Sequence, residues 1–239
     1  MTVSSPPSNP PGRWVNLDYG DLKILGETRM EREVRSRSAA KERETVAFIE
    51  GIPAGDTLYD IGANIGAYTL IAASRGVEVV AFEPDPANYH HLVDNLRLNS
   101  LHATVLPVAL ANYTDMVHIG PGEPGETHSL TEEGTSVMAW RMDELVPRFH
   151  LPRPSWLKVD VDGGEWGVLA GGLRYMHSMK GVLVEVCQET EKPVVDLMLR
   201  LGFCIDSAHP HASGVTNLVW ARSTLAPLPV WTWIEYSPH

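Results

Sequence analysis

Two short stretches hold the residue types that could do chemistry. The first, DIGANIG, ends an apolar run on Asp60 and follows it with Gly62, Asn64 and Gly66. Gly62 lets the backbone turn and approach a ligand without a Cβ, and Gly66 lets the next helix pack closely. Asn64 can cap that helix or hold a strained turn. Glu83 ends the following apolar run, 17 residues beyond Gly66. A carboxylate there can accept hydrogen bonds from both hydroxyls of a ribose. The spacing therefore asks for a nucleoside. A dinucleotide's pyrophosphate wants a glycine-lined helix start, G-x-G-x-x-G; Gly62-Ala63-Asn64-Ile65-Gly66 does not match it. Asp60 is a poor neighbour for pyrophosphate and a good one for a cationic, amino-bearing ligand. S-adenosylmethionine, with its ribose, ammonium and sulfonium, meets both demands. The cofactor contacts expected are Asp60, Gly62, Ala63, Asn64, Gly66, Thr69, Glu83, Pro84, Ala109 and Asp160.

The second stretch is LKVDVDGGEW. On a strand, Lys158, Asp160 and Asp162 share one face, and Glu165 opens the helix that follows, where the helix dipole favours a carboxylate. S-adenosylmethionine carries an activated methyl group, and passing it to an acceptor hydroxyl would need an in-line approach, exclusion of water and removal of the hydroxyl proton. Asp160 or Glu165 is expected to orient the hydroxyl or take its proton. Lys158 is expected to hold the acids ionised or to lower the pKa of a bound hydroxyl. The same charges also serve architecture, because a lysine inside a strand needs a counter-ion. The carboxylates would suit a divalent cation, but Lys158 neutralises part of the group and no histidine is interleaved, so no metal is expected. Glu185, at another strand end, and His209, in a loop with His211, are expected on the substrate. His90 and His91 read as surface or packing residues. The basic residues Arg32, Arg35, Arg37, Lys41 and Arg43 alternate with glutamates, as on a solvated helix face.

These residues need a sheet to position them. TLYDI, VEVVAFE, ATVLPVALA, WLKVDV and GVLVEVC read as strands, the helical segments between them as crossovers. Asp85 with Pro86 starts a helix whose Tyr89, Leu92, Val93 and Leu96 share a face. A later helix aligns Val194, Leu197, Met198 and Leu201 and stops at Gly202. Residues 113 to 142 read as a small antiparallel excursion. FCIDS and NLVWARS are joined by too few residues for a crossover helix, so they are antiparallel neighbours. The expected fold is α/β: a mostly parallel seven-stranded sheet with an antiparallel last strand and helices on both faces. Residues 1–13, rich in Pro and Ser, read as a disordered tail, 14–54 as an N-terminal helical cap segment, and 55–239 as the main domain. Val46, Phe48 and Ile49 are the packing part of the cap. Trp231 and Trp233, near the end of the chain, read as packing residues.

With DIGANIGAYTL, VVAFEPDP, NLRLN and LKVDVDGGEWGVLAGG in place, the sequence resembles the FkbM family of S-adenosylmethionine-dependent methyltransferases over roughly residues 41 to 222. The resemblance implies a Rossmann-like class I methyltransferase fold and O-methylation of hydroxyls on natural products or sugars. Asp162 departs from the family, which often has glutamate there, and the first 40 residues match only loosely.

Composition narrows the partners. The net charge of -11 repels a phosphate backbone, so a small-molecule acceptor is expected and a nucleic acid is not. The start MTVSSPPSNPPG has no apolar core of a signal peptide, and no apolar run reaches membrane-spanning length. Cys187 and Cys204 form no metal spacing and read as reduced thiols, so a cytoplasmic protein is expected. Two other functions compete. A nicotinamide-dependent oxidoreductase on a similar sheet would need the three-glycine turn, which is missing, and a catalytic Tyr-x-x-x-Lys, which no tyrosine after the glycine turn provides. A non-catalytic scaffold that binds the adenosyl cofactor would have no use for Lys158, Asp160 and Glu165 together.

Overall fold

The computed structural model describes residues 14–120, 123–126, 130–131 and 133–222. The expected tail, 1–13, and Trp231 and Trp233 lie outside them. The chain opens with a short antiparallel hairpin, β1 (Trp14–Asn16) and β2 (Lys23–Leu25). Three short helices follow, α1 (Arg29–Glu33), α2 (Ser38–Lys41) and α3 (Arg43–Glu50), with a 3-10 turn at Arg35–Arg37. Thr28 and Glu31 form a reciprocal capping box at α1. The cap segment is thus a hairpin plus broken helices rather than helix throughout. Val46, Phe48 and Ile49 do pack on the core.

Strand and helix then alternate: β3 (Thr57–Ile61), α4 (Ala67–Ser74), β4 (Glu78–Phe82), α5 (Pro86–Leu98) and β5 (Thr104–Leu106). A side sheet holds β6 (Ala109–Leu110), β7 (Asp115–Ile119), β8 (Leu130–Thr131) and β9 (Thr135–Trp140). The main sheet resumes after α6 (Met142–Arg148) with β10 (Trp156–Val159), α7 (Glu165–Gly171), α8 (Leu173–Met176), β11 (Gly181–Val186) and α9 (Gln188–Arg200). It closes with β12 (Phe203–Pro210) and β13 (Thr216–Arg222).

The main sheet has seven strands in the order β12-β13-β11-β10-β3-β4-β5. The five strands from β11 to β5 are parallel, while β13 runs antiparallel to both its neighbours. Strand number and direction match the expected fold. Alternation along the strands divides the core. Tyr59, Ile61, Leu157 and Val159 face the layer of α6 to α9, and Leu58 faces α3 and α4. Asp60, Lys158 and Asp160 follow Leu58's parity, so these charges lie on the side covered by the N-terminal segment.

Two local expectations are corrected. ATVLPVALA is not one strand: β5 stops at Leu106, and β6 leaves for the side sheet, where it pairs with β9 in parallel. Pro107 stands at the break and has no N–H for a ladder. On α5 the buried set is Asn88, Leu92, Asn95 and Leu96, while Tyr89 and Val93 are half-buried. The two asparagines are buried because they are used. Asn95 accepts from the Leu25 amide at 2.7 Å and donates to the Ile65 carbonyl at 2.8 Å. That joins hairpin, helix and glycine turn, and burial is tolerated because every bond is made.

Candidate active site

The carboxyl ends of β3, β4 and β10 open into a cleft of about 330 Å³. Gly62 and Asn64 line its centre; Glu83 and Pro84 line it beyond β4, and Asp160 to Gly164 beyond β10. Gly62 has φ +78, and a Cβ there would lie 1.9 Å from the Asp160 carbonyl oxygen. Gly62 thus makes a close approach to the backbone beyond β10 while also lining the cleft. Asn64 is also left-handed, at φ 51, and does not cap α4; that position belongs to Gly66. Asn64 Nδ2 donates to the Glu126 carbonyl at 2.8 Å, as does Asn88 Nδ2 at 3.1 Å.

Glu83 is 5% exposed and lies at the cleft. Its Oε2 accepts from the Asn64 amide at 2.7 Å and its Oε1 from the Asp85 amide at 2.9 Å. It therefore fixes the turns after β3 and β4. The apolar Ile61, Phe82, Val108 and Leu110 complete this part of the lining. A nucleoside suits it: a carboxylate for ribose hydroxyls beside an apolar slot for a base.

Beyond β3 the site changes character. Lys158, 2% exposed on its side chain, places Nζ 3.2 Å from Asp60 Oδ1 and 3.2 Å from Asp160 Oδ2. It also donates to the Gly62 carbonyl at 3.3 Å. Burial opposes the ammonium, but Asp60, Asp160 and Glu42 outweigh it and hold the pKa above that of an ordinary lysine. Asp160 shows the reverse balance. Burial pushes its pKa up, yet Lys158, with Arg35 and Lys41, holds it below the usual range. Asp60 departs from its expected role. It is fully buried, and Thr69 Oγ1 donates to its Oδ2 at 2.6 Å. Asp60 and Thr69 thus sit beneath the cleft and support it through Lys158.

Glu165 is likewise absent from the cleft lining. It is buried, Oε1 accepts from the Gly163 amide at 2.8 Å, and Oε2 has no hydrogen-bond partner. It shapes the turn Asp162–Gly164, where Asp162 adopts φ 44. Asp162 lines the cleft and Glu165 does not. Ala63 and Gly66 pack behind the turn, whereas Ala109 reaches the lining. Among the described residues no group of His, Cys, Asp and Glu is arranged to hold a metal ion.

Glu185 stands beside Asp160. Val184 pairs with Val159, and Glu185 and Asp160 are the next residues on their strands. It is half-buried, and burial together with Asp160 and Glu42 pushes its carboxyl pKa up to about 8. His209 hydrogen-bonds Ser207 on its own strand at 3.0 Å and does not line the cleft. His211 instead meets Glu44 at 2.6 Å, and Asn217 donates to the same carboxylate at 2.9 Å. This ties the last hairpin to α3.

Sequence reasoning missed several lining residues. Arg35 lines the cleft near Asp160, and its Nε donates to the Gly125 carbonyl at 2.6 Å. It is not simply part of a solvated face. Asn88 and Glu126 line the cleft too, and Glu42, in the N-terminal segment, is buried. Only Asn88 carried a signal, three residues after the helix cap. His91 is a packing residue, as expected, with a partner: its Nδ1 lies 2.5 Å from Glu31 Oε1, joining α5 to α1.

With this geometry, the comparisons with known proteins become informative. Residues 60–205 match the model of the methyltransferase FkbM domain. A hexuronic acid methyltransferase, AglP of Haloferax volcanii, is 30% identical over 158 residues, which is 64% of this chain and 65% of that protein. A Methanocaldococcus jannaschii tRNA(Phe) (4-demethylwyosine(37)-C(7)) aminocarboxypropyltransferase is 31% identical over 41% of this chain and 38% of its own. The chain thus spans less than two thirds of the length of these relatives. Among solved structures, the Pyrococcus abyssi tRNA (uracil-54, C5)-methyltransferase in complex with S-adenosyl-L-homocysteine aligns with TM-score 0.53 and 15% identity over 87% of this chain and 44% of that one. The precorrin-6Y C5,15-methyltransferase of Geobacter metallireducens aligns with TM-score 0.50 and 13% identity over 76% and 87%. At such identities the likeness concerns the fold alone, and it agrees with the strand order. No helix among the described residues is long and apolar enough to cross a membrane.

Proposed function

The chain belongs to the FkbM methyltransferase family, and from that premise we propose that it is an S-adenosylmethionine-dependent enzyme that methylates a hydroxyl oxygen of a small, polyhydroxylated acceptor such as a sugar. The carrying observation is one cleft with two unlike ends. Glu83 and an apolar slot stand beyond β4, and the ion-paired Asp160 stands beyond β10, with β3 between them. The first end suits a ribose and a base; the second suits an ammonium and an acceptor's polar groups. The cofactor supplies a methyl group made electrophilic by the sulfonium.

The chain's own residues have separate tasks. Glu83 accepts from the ribose hydroxyls while keeping both turns fixed. Lys158 keeps Asp160 ionised, so that Asp160 accepts hydrogen bonds at the acceptor end of the cleft. Asp60, Thr69 and Glu165 hold this frame from below. The hexuronic acid methyltransferase among the relatives favours a sugar acceptor. The net charge of -11 disfavours an RNA acceptor, although RNA-modifying proteins are among the relatives.

The test is a panel of hexuronates, neutral sugars, phenols and a tRNA, incubated with the protein and methyl-labelled cofactor. The proposal expects label on a sugar oxygen, stable to ester hydrolysis. Label on tRNA, or on a carboxylate as a hydrolysable ester, contradicts it.

A further inference from the structure

The acids on this face of the sheet differ in whether the protein already uses them. Asp60 is bound by Thr69 and Lys158, and Asp160 is held by Lys158. Glu42 accepts from Lys41 at 3.0 Å, and Glu44 is taken by His211 and Asn217. Glu165 is buried and accepts from Gly163. Glu185 is the exception: among the described residues it makes no hydrogen bond and no ion pair. It does not itself line the cleft, but it adjoins Asp160, which does, across the β10–β11 ladder. A half-buried carboxylate left without a partner among other acids costs stability, and such a cost recurs where a site needs a free base.

We propose that Glu185 is the general base of this site, taking the proton of the acceptor hydroxyl, and that Asp160 and Lys158 position that hydroxyl. The inference rests on the hydroxyl-methylating function proposed above. The hydroxyl oxygen forms the new bond to the methyl carbon. The carbon–sulfur bond breaks with its electron pair going to sulfur, which becomes a neutral thioether. The proton passes to the Glu185 carboxylate and then to water. Asp160 does not compete for it, because Lys158 keeps that carboxylate a weak base. Glu185 is the stronger base, since burial and its acidic neighbours favour its protonated form. The charged groups acting on it are Asp160 and Lys158 from β10, and Glu42 and Lys41 from the N-terminal segment.

The sign of the linkage gives a test that needs no acceptor. The folded pKa of Glu185 lies above the usual glutamate value, so folding loses stability as pH rises from the unfolded pKa towards about 8. Glu185→Gln removes that loss. The variant should melt at least as high as the wild type at pH 6, and roughly 2–5 °C higher at pH 9. A residue with a structural role would melt lower at both. Carbon-13 carboxyl NMR should find one glutamate titrating near 8 in the wild type and none there in Glu185→Gln. S-adenosylhomocysteine affinity should change less than about threefold, because Glu185 is not assigned to the cofactor. With methyl glucuronoside as acceptor, turnover should fall roughly 10²–10⁴-fold and lose its rise with pH, and Glu185→Asp should restore part of it. A normal glutamate midpoint, or a lower-melting Glu185→Gln, overturns the proposal. So does a fully active Glu185→Gln when the wild type methylates the hydroxyl. Label found only on a non-hydroxyl acceptor would instead overturn the function on which the inference rests.

Discussion

The two ends of the cleft are built on opposite plans. Beyond β4 the polar frame is local: a turn, a strand end and a cap between Asp60 and Asn88, with backbone amides holding Glu83, while Val108 and Leu110 add to the apolar slot. Beyond β10 it is assembled from afar. Arg35 and Glu42 come from the N-terminal segment, Lys158 and Asp160 from β10, and Glu185 from β11. A cofactor common to many enzymes can be met by a short, self-contained motif. An acceptor is met by side chains that the tertiary fold brings together, and these can change without rebuilding the cradle. The comparison also separates two kinds of carboxylate: Glu83 is ordered by amides, whereas Asp160 is ordered by a buried cation.

The comparison breaks most severely at its hinge. Gly62→Val adds a branched side chain at φ +78, with its Cβ 1.9 Å from the Asp160 carbonyl. Strain and overpacking together should cost roughly 4 kcal/mol or more, and both ends should fail at once. Chemical denaturation reads this; a normally stable Gly62→Val protein would mean that the β10 backbone does not press on the turn. Lys158→Met leaves the buried Asp60 and the half-buried Asp160 without their cation. A loss of about 3–5 kcal/mol is expected. No change in melting would remove Lys158 as the support of the acceptor end.

The cradle end should respond in binding. Glu83→Ala is expected to weaken S-adenosylhomocysteine affinity by about 2–4 kcal/mol. It should also lower the melting temperature of the free protein, since the Asn64 and Asp85 amides lose their acceptor. Unaltered affinity would remove the ribose from Glu83. A smaller effect sharpens the contrast at the strap between α1 and α5. The hydrogen bond to Glu31, opposed by burial, raises the His91 pKa. The stabilisation from this pair is complete below the ordinary histidine pKa and fades as pH rises through the raised one. It is worth at most about 1 kcal/mol. His91→Gln should flatten that slope of melting against pH, and an unchanged slope would deny the coupling. Glu165→Gln is the mildest change, because the amide oxygen can still accept from Gly163. Single-turnover rates should stay within about threefold; a 10²-fold loss would return Glu165 to the chemistry.

The same contrast explains what the sequence made legible. The main sheet and its antiparallel last strand followed from apolar runs and connection length, whereas the strand order did not. Glu83 and Gly62 could be read because strand end and turn are sequence-local features. Asp60 was misassigned because a carboxylate at a strand end reads alike whether it meets a ligand or a buried lysine. Only the tertiary partner, Lys158, 98 residues away, decides between them. Glu165 misled similarly: its place at a helix start is equally consistent with serving the turn before it. Arg35 and Glu42 left no periodic signal, since α1, α2 and the turn between them are too short to have a readable face. The break at Pro107 was readable in principle, but the apolar run around it hid the change of sheet.

On the proposed function, the cleft takes an adenosyl amino acid rather than a dinucleotide. Calorimetric titration of the wild-type protein with S-adenosylhomocysteine, and separately with NAD, tests it most directly. The account predicts saturable one-to-one binding of S-adenosylhomocysteine with micromolar or tighter affinity, about -8 kcal/mol or better, and no measurable binding of NAD. Tight binding of NAD without binding of S-adenosylhomocysteine would contradict it.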